Sequence, residues 1–149
     1  MAVHRRVFDV ISGFDVELGP GQLGLEEDTL FSLQIRQLGM RIAGAPGAIV
    51  EHHPRKDRIT RRALQQVAER VGRSDAYVSY HWRHQGSRAR SSAGLIDATL
   101  RLLLRRSVTQ VPERGLPGWE HSLIRRRAYH RQMLKEVYRT RKYDRLDYT

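Results

Sequence analysis

The glycine-rich segment over residues 13–26 constrains the fold most, because it cannot continue a regular helix or strand. Its turn-forming residues are Gly13, Gly19, Pro20, Gly21 and Gly24. A helical pattern follows directly, in which the apolar residues at helical spacing are Leu30, Phe31, Ile35 and Leu38. Gly39 is typical of a helix end. The sequence therefore predicts a loop followed by a helix over residues 29–38, and such a loop suits the lining of a functional site.

Three consecutive acidic residues, Glu26, Glu27 and Asp28, join the loop to this helix. Acidic residues at a helix start can cap free backbone N–H groups and complement the helix dipole. Alternatively, a loop can hold a carboxylate over a cleft, where it accepts a proton from a substrate. Spacing alone favours the capping role and leaves the catalytic role open.

Five short motifs in the first third of the chain resemble the second half of the catalytic domain of family 2 glycosyltransferases. In chain order they are Met1–Phe8, Gly13-Phe14-Asp15, Glu27-Asp28-Thr29, Arg36–Ile42 and Ala48–His52. Two positions depart from the family pattern, because Ser12 and Glu26 stand where glycine is common. The resemblance implies an α/β fold class. Residues 1–58 would form part of a GT-A (nucleotide-diphospho-sugar transferase) fold, and residues 59–149 would form a mostly helical basic region.

The local patterns predict the elements of both regions. Residues 40–43 and 48–50 are predicted to be short strands, as at the edge of an α/β sheet. Thr60 is predicted to cap a helix that ends at Gly72. A second helix is expected from Ser74 to Gly86, then a linker over 87–94 and a helix from Leu95 to Arg106. A long basic helix is predicted from Trp119 to Arg141.

The resemblance also implies an activity: an inverting glycosyltransferase that moves a sugar from a nucleotide-sugar donor to a glycan or lipid-linked acceptor. It assigns Asp28 as the base that takes a proton from the acceptor hydroxyl, with Glu27 orienting the loop or contacting the acceptor. Gly24 and Glu26 would be substrate-binding residues.

A divalent metal, manganese or magnesium, is expected in the full-length enzyme to stabilise the departing diphosphate. The resemblance implies that His52 or His53 is one of its ligands, since imidazole binds such metals when carboxylates complete the shell. The alternative is a pair of surface histidines before a proline. No Asp-x-Asp motif, which the nucleotide-binding half of the family supplies, occurs in the chain. We therefore expect a fragment, either the C-terminal part of a longer enzyme or the product of an internal start, that shows no appreciable sugar transfer alone.

The net charge of +11 is concentrated in residues 87–149, which hold 15 Lys or Arg against 6 Asp or Glu. The basic helix is predicted either to dock on an anionic membrane surface or to pair its arginines with acids and water. The arginines concerned are Arg125, Arg126, Arg127 and Arg131. With no apolar run of about 18 residues, the expected location is cytoplasmic, peripheral at the inner membrane face. The chain has no cysteine, which excludes disulfides and thiolate metal sites.

A small basic nucleic-acid-binding module is the alternative function. The arginine-rich stretch over residues 122–145, with its interleaved tyrosines, favours that interpretation. No helix-turn-helix, zinc or RNP pattern accompanies the charge, and the acidic glycine-rich loop has no role in such a module. Nucleic acid is therefore not the expected partner.

Overall fold

The computed structural model describes residues 2–53, 55–110, 112 and 115–144. The chain divides into two compact units, Met1–His53 and Pro54–Thr149. The α-helices of the described residues are α1 (Glu27–Gln37), α2 (Arg61–His81), α3 (Arg88–Val108) and α4 (Gly118–Glu136). Two short 3-10 helices span Arg5–Asp9 and Lys56–Ile59. None of the helices in these ranges has the length and apolar character needed to cross a membrane.

The predicted α/β fold is wrong, because the described residues contain no β-strand. Both segments predicted to be strands, 40–43 and 48–50, are irregular, and apart from the half-buried Met40 their residues are exposed. Ile42, Ile49 and Val50 are 54%, 85% and 86% exposed, so their apolar side chains are not buried. A strand is stable only when a neighbouring strand binds its backbone and another layer covers one face. In the described part of the chain, these segments have neither a neighbouring strand nor a covering layer.

The first unit is built around one face of α1. Phe31 and Ile35 from α1 pack with Val7 and Ile11 from the N-terminal segment, as the apolar spacing of α1 predicts. Phe31 is fully buried, and its ring centroid lies 4.6 Å from that of Phe14 in the glycine-rich loop. The apolar face of α1 therefore anchors both the N-terminal segment and the loop.

The end of α1 confirms the role predicted for Gly39. Gly39 has a φ of 70°. Its N–H donates to Arg36 O at 3.0 Å, and Met40 N–H donates to Ile35 O at 3.2 Å. This pair of bonds is the Schellman motif, in which a left-handed glycine satisfies the last carbonyls of a helix. Because Met40 also packs on the core that contains Ile35, the helix end is fixed by both polar and apolar contacts.

The second unit is a three-helix arrangement in which α4 packs against both α2 and α3. Thr60 caps α2 as predicted, since its Oγ1 accepts a hydrogen bond from Ala63 N–H at 3.3 Å. The buried cores of the unit combine small and large side chains from all three helices: Ala68, Ala76, Tyr80, Leu102, Ile124 and Met133.

Two of the predicted interruptions in the second unit are wrong. Gly72 does not end a helix, because α2 continues without a break to His81. The predicted linker over 87–94 lies almost wholly inside α3, which begins at Arg88. Ser91 and Gly94 lie on the buried face of α3. Small residues at helical spacing therefore mark the faces where these helices approach closely.

The basic helix α4 ends at Glu136, before the predicted end at Arg141. Beyond Glu136 the chain turns back on the end of α2. There Arg139 O accepts a hydrogen bond from the Tyr80 hydroxyl at 2.8 Å, and Lys142 N–H donates to His81 Nδ1 at 3.1 Å. These tertiary contacts end the helix, although the local sequence could continue it.

Candidate functional site

The glycine-rich loop has a defined shape set by internal hydrogen bonds. Asp15 is buried, and its Oδ1 accepts a bond from Glu17 N–H at 2.9 Å. Leu23 N–H donates to Glu17 O at 3.2 Å, which closes the loop on itself. The buried Leu18 fixes its centre. The loop therefore delivers the acidic residues to the start of α1 in a fixed position.

The three acidic residues at this helix start have different surroundings. Glu26 is the N-cap, but its side chain makes no capping bond, and its φ of 72° is left-handed. Glu27 is half-buried and lies over the loop, so that its Cδ would be 3.4 Å from a Cβ placed on Gly19. Asp28 is exposed, and its Oδ1 accepts a bond from Thr29 N–H at 2.8 Å. Asp28 thus makes a local backbone contact of the capping type, and its side chain is also accessible from solvent.

A shallow groove runs along one face of α1 from Asp28. Its first part is lined by Asp28, Thr29, Ser32, Leu33 and Arg36. Ser32 and Arg36 also line a second part, which continues past Gly39 to Arg41 and Ala43. The groove therefore carries a carboxylate at one end, hydroxyls in the middle and guanidinium groups toward the other end. Such a set of donors and acceptors suits a ligand that is rich in hydroxyl groups.

The other residues predicted for the site do not join this groove. Gly24 is buried before α1, and Glu26 is half-buried. His52 and His53 are exposed in the irregular segment, and neither lines the groove beside Asp28. The hypothesis that Asp28 and His52 share a cleft is therefore not supported by the lining of this groove.

The histidine pair does not make a metal site with its neighbours. His53 Nε2 lies 3.1 Å from Glu51 Oε2, in a pair whose side chains are more than four-fifths exposed. Across the described ranges, no group of three or more potential His or carboxylate ligands is arranged to hold a metal ion. His52, His53 and Glu51 alone therefore do not supply the set of ligands that the expected divalent metal needs.

The second unit contains buried carboxylates that the sequence interpretation missed. Glu120 and Glu136 are fully buried at the two ends of α4, on a stripe that repeats every four residues. The members of this stripe are Glu120, Ile124, Ala128, Gln132 and Glu136. The signal was available in the sequence, since these are acids at core spacing in a helix otherwise rich in arginine.

Glu120 is held by two guanidinium groups. Arg61 Nη2 lies 2.5 Å from Glu120 Oε2, and Arg106 Nε lies 2.8 Å from Oε1. Burial would raise the pKa of Glu120, but the hydrogen bonds and charges of Arg106 and Arg61 outweigh it and lower that pKa. The carboxylate therefore stays ionised and joins the starts of α2 and α4 to the end of α3.

Glu136 forms a second buried polar network with His81. His81 Nε2 lies 3.1 Å from Glu136 Oε2, and Gln132 Nε2 donates to Oε1. Because His81 Nδ1 accepts from Lys142 N–H, the ring carries its proton on Nε2 and donates it to Glu136. Burial would raise the pKa of Glu136, but the bonds from His81 and Gln132 and the charge of Arg139 lower it. This network closes the opposite end of the helical unit.

Most arginines of the basic helix pair with acids of neighbouring helices. Arg125 pairs with Asp75 at 2.6 Å and Arg126 with Asp97 at 3.3 Å. Arg127 lies 3.4 Å from Glu69. Of the two outcomes predicted for these arginines, the structure shows pairing with acids for three of the four.

A separate groove between α2 and α4 is strongly basic. Its lining residues are Glu69, Arg73, Arg127, Ala128, Arg131, Gln132 and Lys135. Arg73 Nε is buried and has no hydrogen-bond partner among the described residues. We call this the α2–α4 groove.

His130 should make the stability of the second unit depend on pH. Burial is the main cause that lowers the pKa of His130, followed by the positive charge of Arg126, while Asp97 acts in the opposite direction. The unfolded chain therefore binds a proton at a pH at which the folded His130 does not. The contribution of His130 to the free energy of unfolding is therefore fully present above pH 6.5, the ordinary pKa of histidine. It is lost as the pH falls through the lowered pKa of His130.

We expect the free energy of unfolding to fall between pH 7.5 and pH 5.5, and His130→Gln to reduce that fall. Urea denaturation at a series of pH values measures how steeply the free energy of unfolding changes with pH in the wild type and in the variant. Equal slopes for the wild type and the variant would contradict this assignment.

Comparison of the chain with protein-family models, with curated proteins and with solved structures gave no match.

Proposed function

We propose that the first unit provides the acceptor side of a glycosyltransferase, in which Asp28 is the catalytic base. The observation that carries the proposal is the groove beside Asp28, with its exposed carboxylate, its hydroxyls and Arg36 along one helix face. The five ordered motifs of the sequence support the same activity. These residues do not require an α/β fold for this role.

In this mechanism the acceptor sugar lies along α1, with hydrogen bonds to Ser32 and Arg36. Asp28 accepts the proton of the acceptor hydroxyl while that oxygen forms a bond to the anomeric carbon of the donor. The bond between the anomeric carbon and the phosphate oxygen breaks, and the nucleoside diphosphate leaves with the electron pair. A single displacement inverts the anomeric centre. Glu27 has a positioning role, because its side chain lies over the loop beside Gly19.

The partners in this proposal are a nucleotide-sugar donor and a glycan or lipid-linked acceptor. The proposed location is cytoplasmic and peripheral at the inner membrane face, where a lipid-linked acceptor would be presented.

Acceptor binding tests the proposal with the chain as it exists. Free mono- and disaccharides, added at millimolar concentration to the ¹⁵N-labelled protein, should shift the amide resonances of Asp28, Ser32 and Arg36. Ser32→Leu should abolish these shifts, because the larger side chain fills the groove. Ser107→Leu, an equal change at an exposed position of α3, should leave them intact.

The catalytic assignment predicts a specific behaviour of Asp28→Asn. This variant should bind the same saccharide with an affinity within about threefold of the wild type, since a base acts mainly in the transition state. Saccharides that shift no resonance of α1, or that bind Ser32→Leu as well as the wild type, would overturn the proposed site.

A further inference from the structure

We propose that the α2–α4 groove binds a phosphate group, with Arg73, Arg131 and Lys135 as its main cationic contacts. The groove has a volume of about 210 Å³. This is smaller than the clefts of roughly 300–1,000 Å³ that hold drug-sized ligands. The ligand chemistry is thus a small anionic group presented between two helices, distinct from the hydroxyl-rich ligand proposed for the first unit.

The charge in this groove is not neutralised by the protein itself. Its lining includes four cationic side chains and one acid, Glu69, which pairs with Arg127 at 3.4 Å. In the part of the chain that the structure describes, no acid lies within ion-pair distance of Arg73, Arg131 or Lys135. Arg125 and Arg126 on the same helix, by contrast, pair with Asp75 and Asp97. Among the arginines and the lysine of α4, those without an acidic partner in the described chain therefore lie in the groove.

The arrangement is unfavourable without an anion. Arg127, Arg131 and Lys135 follow one another at intervals of four residues on α4, and like charges at this spacing repel. The buried Nε of Arg73 adds a donor with no partner among the described residues, which is also unfavourable. A bound anion would accept a hydrogen bond from this donor and neutralise the row of cations.

A phosphate group fits these donors better than a carboxylate does. Phosphate offers at least three strong acceptor oxygens in a tetrahedral arrangement, and it can accept from several directions at once. Guanidinium groups bind two phosphate oxygens in parallel, and a lysine ammonium adds a point charge. The donors of this groove come from both α2 and α4, on two sides of the space between them.

Pyrophosphate is the probe for the first experiment, with ionic strength held constant by sodium chloride. Isothermal titration should show binding to the wild-type chain with a Kd below 1 mM. The double variant Arg131→Gln/Lys135→Gln should bind at least tenfold more weakly. Arg62→Gln, which removes an exposed charge of α2 outside the groove, should bind within twofold of the wild type.

Thermal unfolding separates a ligand site from a structural role. Pyrophosphate should raise the unfolding temperature of the wild type and leave that of the double variant unchanged. Without pyrophosphate, the double variant should unfold at the same or a higher temperature, because it has lost repulsion. The proposal would be overturned if the wild type did not bind pyrophosphate, or if the double variant and Arg62→Gln lost the same amount of affinity for it. A lower unfolding temperature of the double variant without pyrophosphate would also overturn it.

Vesicles distinguish the two sources of the phosphate group. Phosphatidylcholine vesicles that contain phosphatidic acid present a phosphate monoester at a membrane surface, and pure phosphatidylcholine vesicles are the control. Co-sedimentation that needs phosphatidic acid and is lost in the double variant would support a lipid headgroup as ligand. Binding of pyrophosphate without co-sedimentation would support a free phosphate compound.

Discussion

Gly72→Ala should lower the free energy of unfolding of the helical unit by about 3 kcal/mol, the upper end of the usual cost of overpacking. A Cβ added at Gly72 would lie 2.2 Å from the backbone oxygen of Arg125 and 3.0 Å from Cβ of Ala128. A backbone oxygen inside a helix cannot rotate away, so α2 and α4 must separate. The stability lost through this overpacking exceeds the stability of about 1 kcal/mol that alanine adds over glycine inside a helix.

Gly118→Ala is the matched control for this prediction. Gly118 is the first residue of α4, and a Cβ there would meet no atom within 4 Å. This variant should be neutral or more stable than the wild type by up to about 1 kcal/mol. Urea denaturation followed by circular dichroism measures both changes. Equal stability of Gly72→Ala and Gly118→Ala would contradict the close approach of α2 and α4.

Glu120→Ala should destabilise the same unit by about 3–5 kcal/mol, the range for removing one partner of a buried ion pair. The substitution leaves Arg61 and Arg106 facing each other without their shared carboxylate, and it opens a cavity at the start of α4. The side chains of these arginines are 22% and 37% exposed, so water can solvate them in part. The effect should therefore lie near the lower end of that range.

An exposed ion pair provides the control for Glu120. Asp57 pairs with Arg55 at 3.2 Å, and their side chains are 63% and 79% exposed. Asp57→Ala should cost less than about 1 kcal/mol, as is usual for surface pairs. Equal effects of the two substitutions would show that Glu120 does not stabilise the unit through burial.

The Glu120 effect should also depend on pH. Because the pKa of Glu120 is lowered on folding, its contribution is present above the ordinary value of 4.5 and is lost as pH falls through the lowered pKa. The stability difference between the wild type and Glu120→Ala should therefore shrink on acidification toward pH 3. A difference that stays constant over this range would contradict the ionised state assigned to the carboxylate.

Features that depend on neighbours along the chain were predictable from the sequence. Thr60 caps α2 through its own hydroxyl, and Gly39 ends α1 through its own left-handed backbone. The glycine-rich segment forms a loop because its residues exclude regular structure. The acidic start of α1 follows from the same local pattern, and it brings Asp28 to the surface beside the groove.

The two short strand predictions failed because a strand depends on a partner distant in the sequence. Ile49 and Val50 have high β-propensity, but that propensity mainly reflects packing on a paired and half-buried surface. No such surface meets them within the described residues, and they remain exposed. Apolar composition alone therefore could not fix their conformation.

Only the tertiary structure decided whether small residues separate helices or bring them together. Gly72 and Gly94 carry the same local signal as a helix break, yet both lie inside helices where another element approaches within the space of a methyl group. The buried acids Glu120 and Glu136 depend likewise on partners from other helices, Arg61 and Arg106 for one and His81 for the other. Local sequence determines which residues can start or end a helix. Close approach and charge neutralisation involve residues far apart in the chain, and they exist only once the helices have packed.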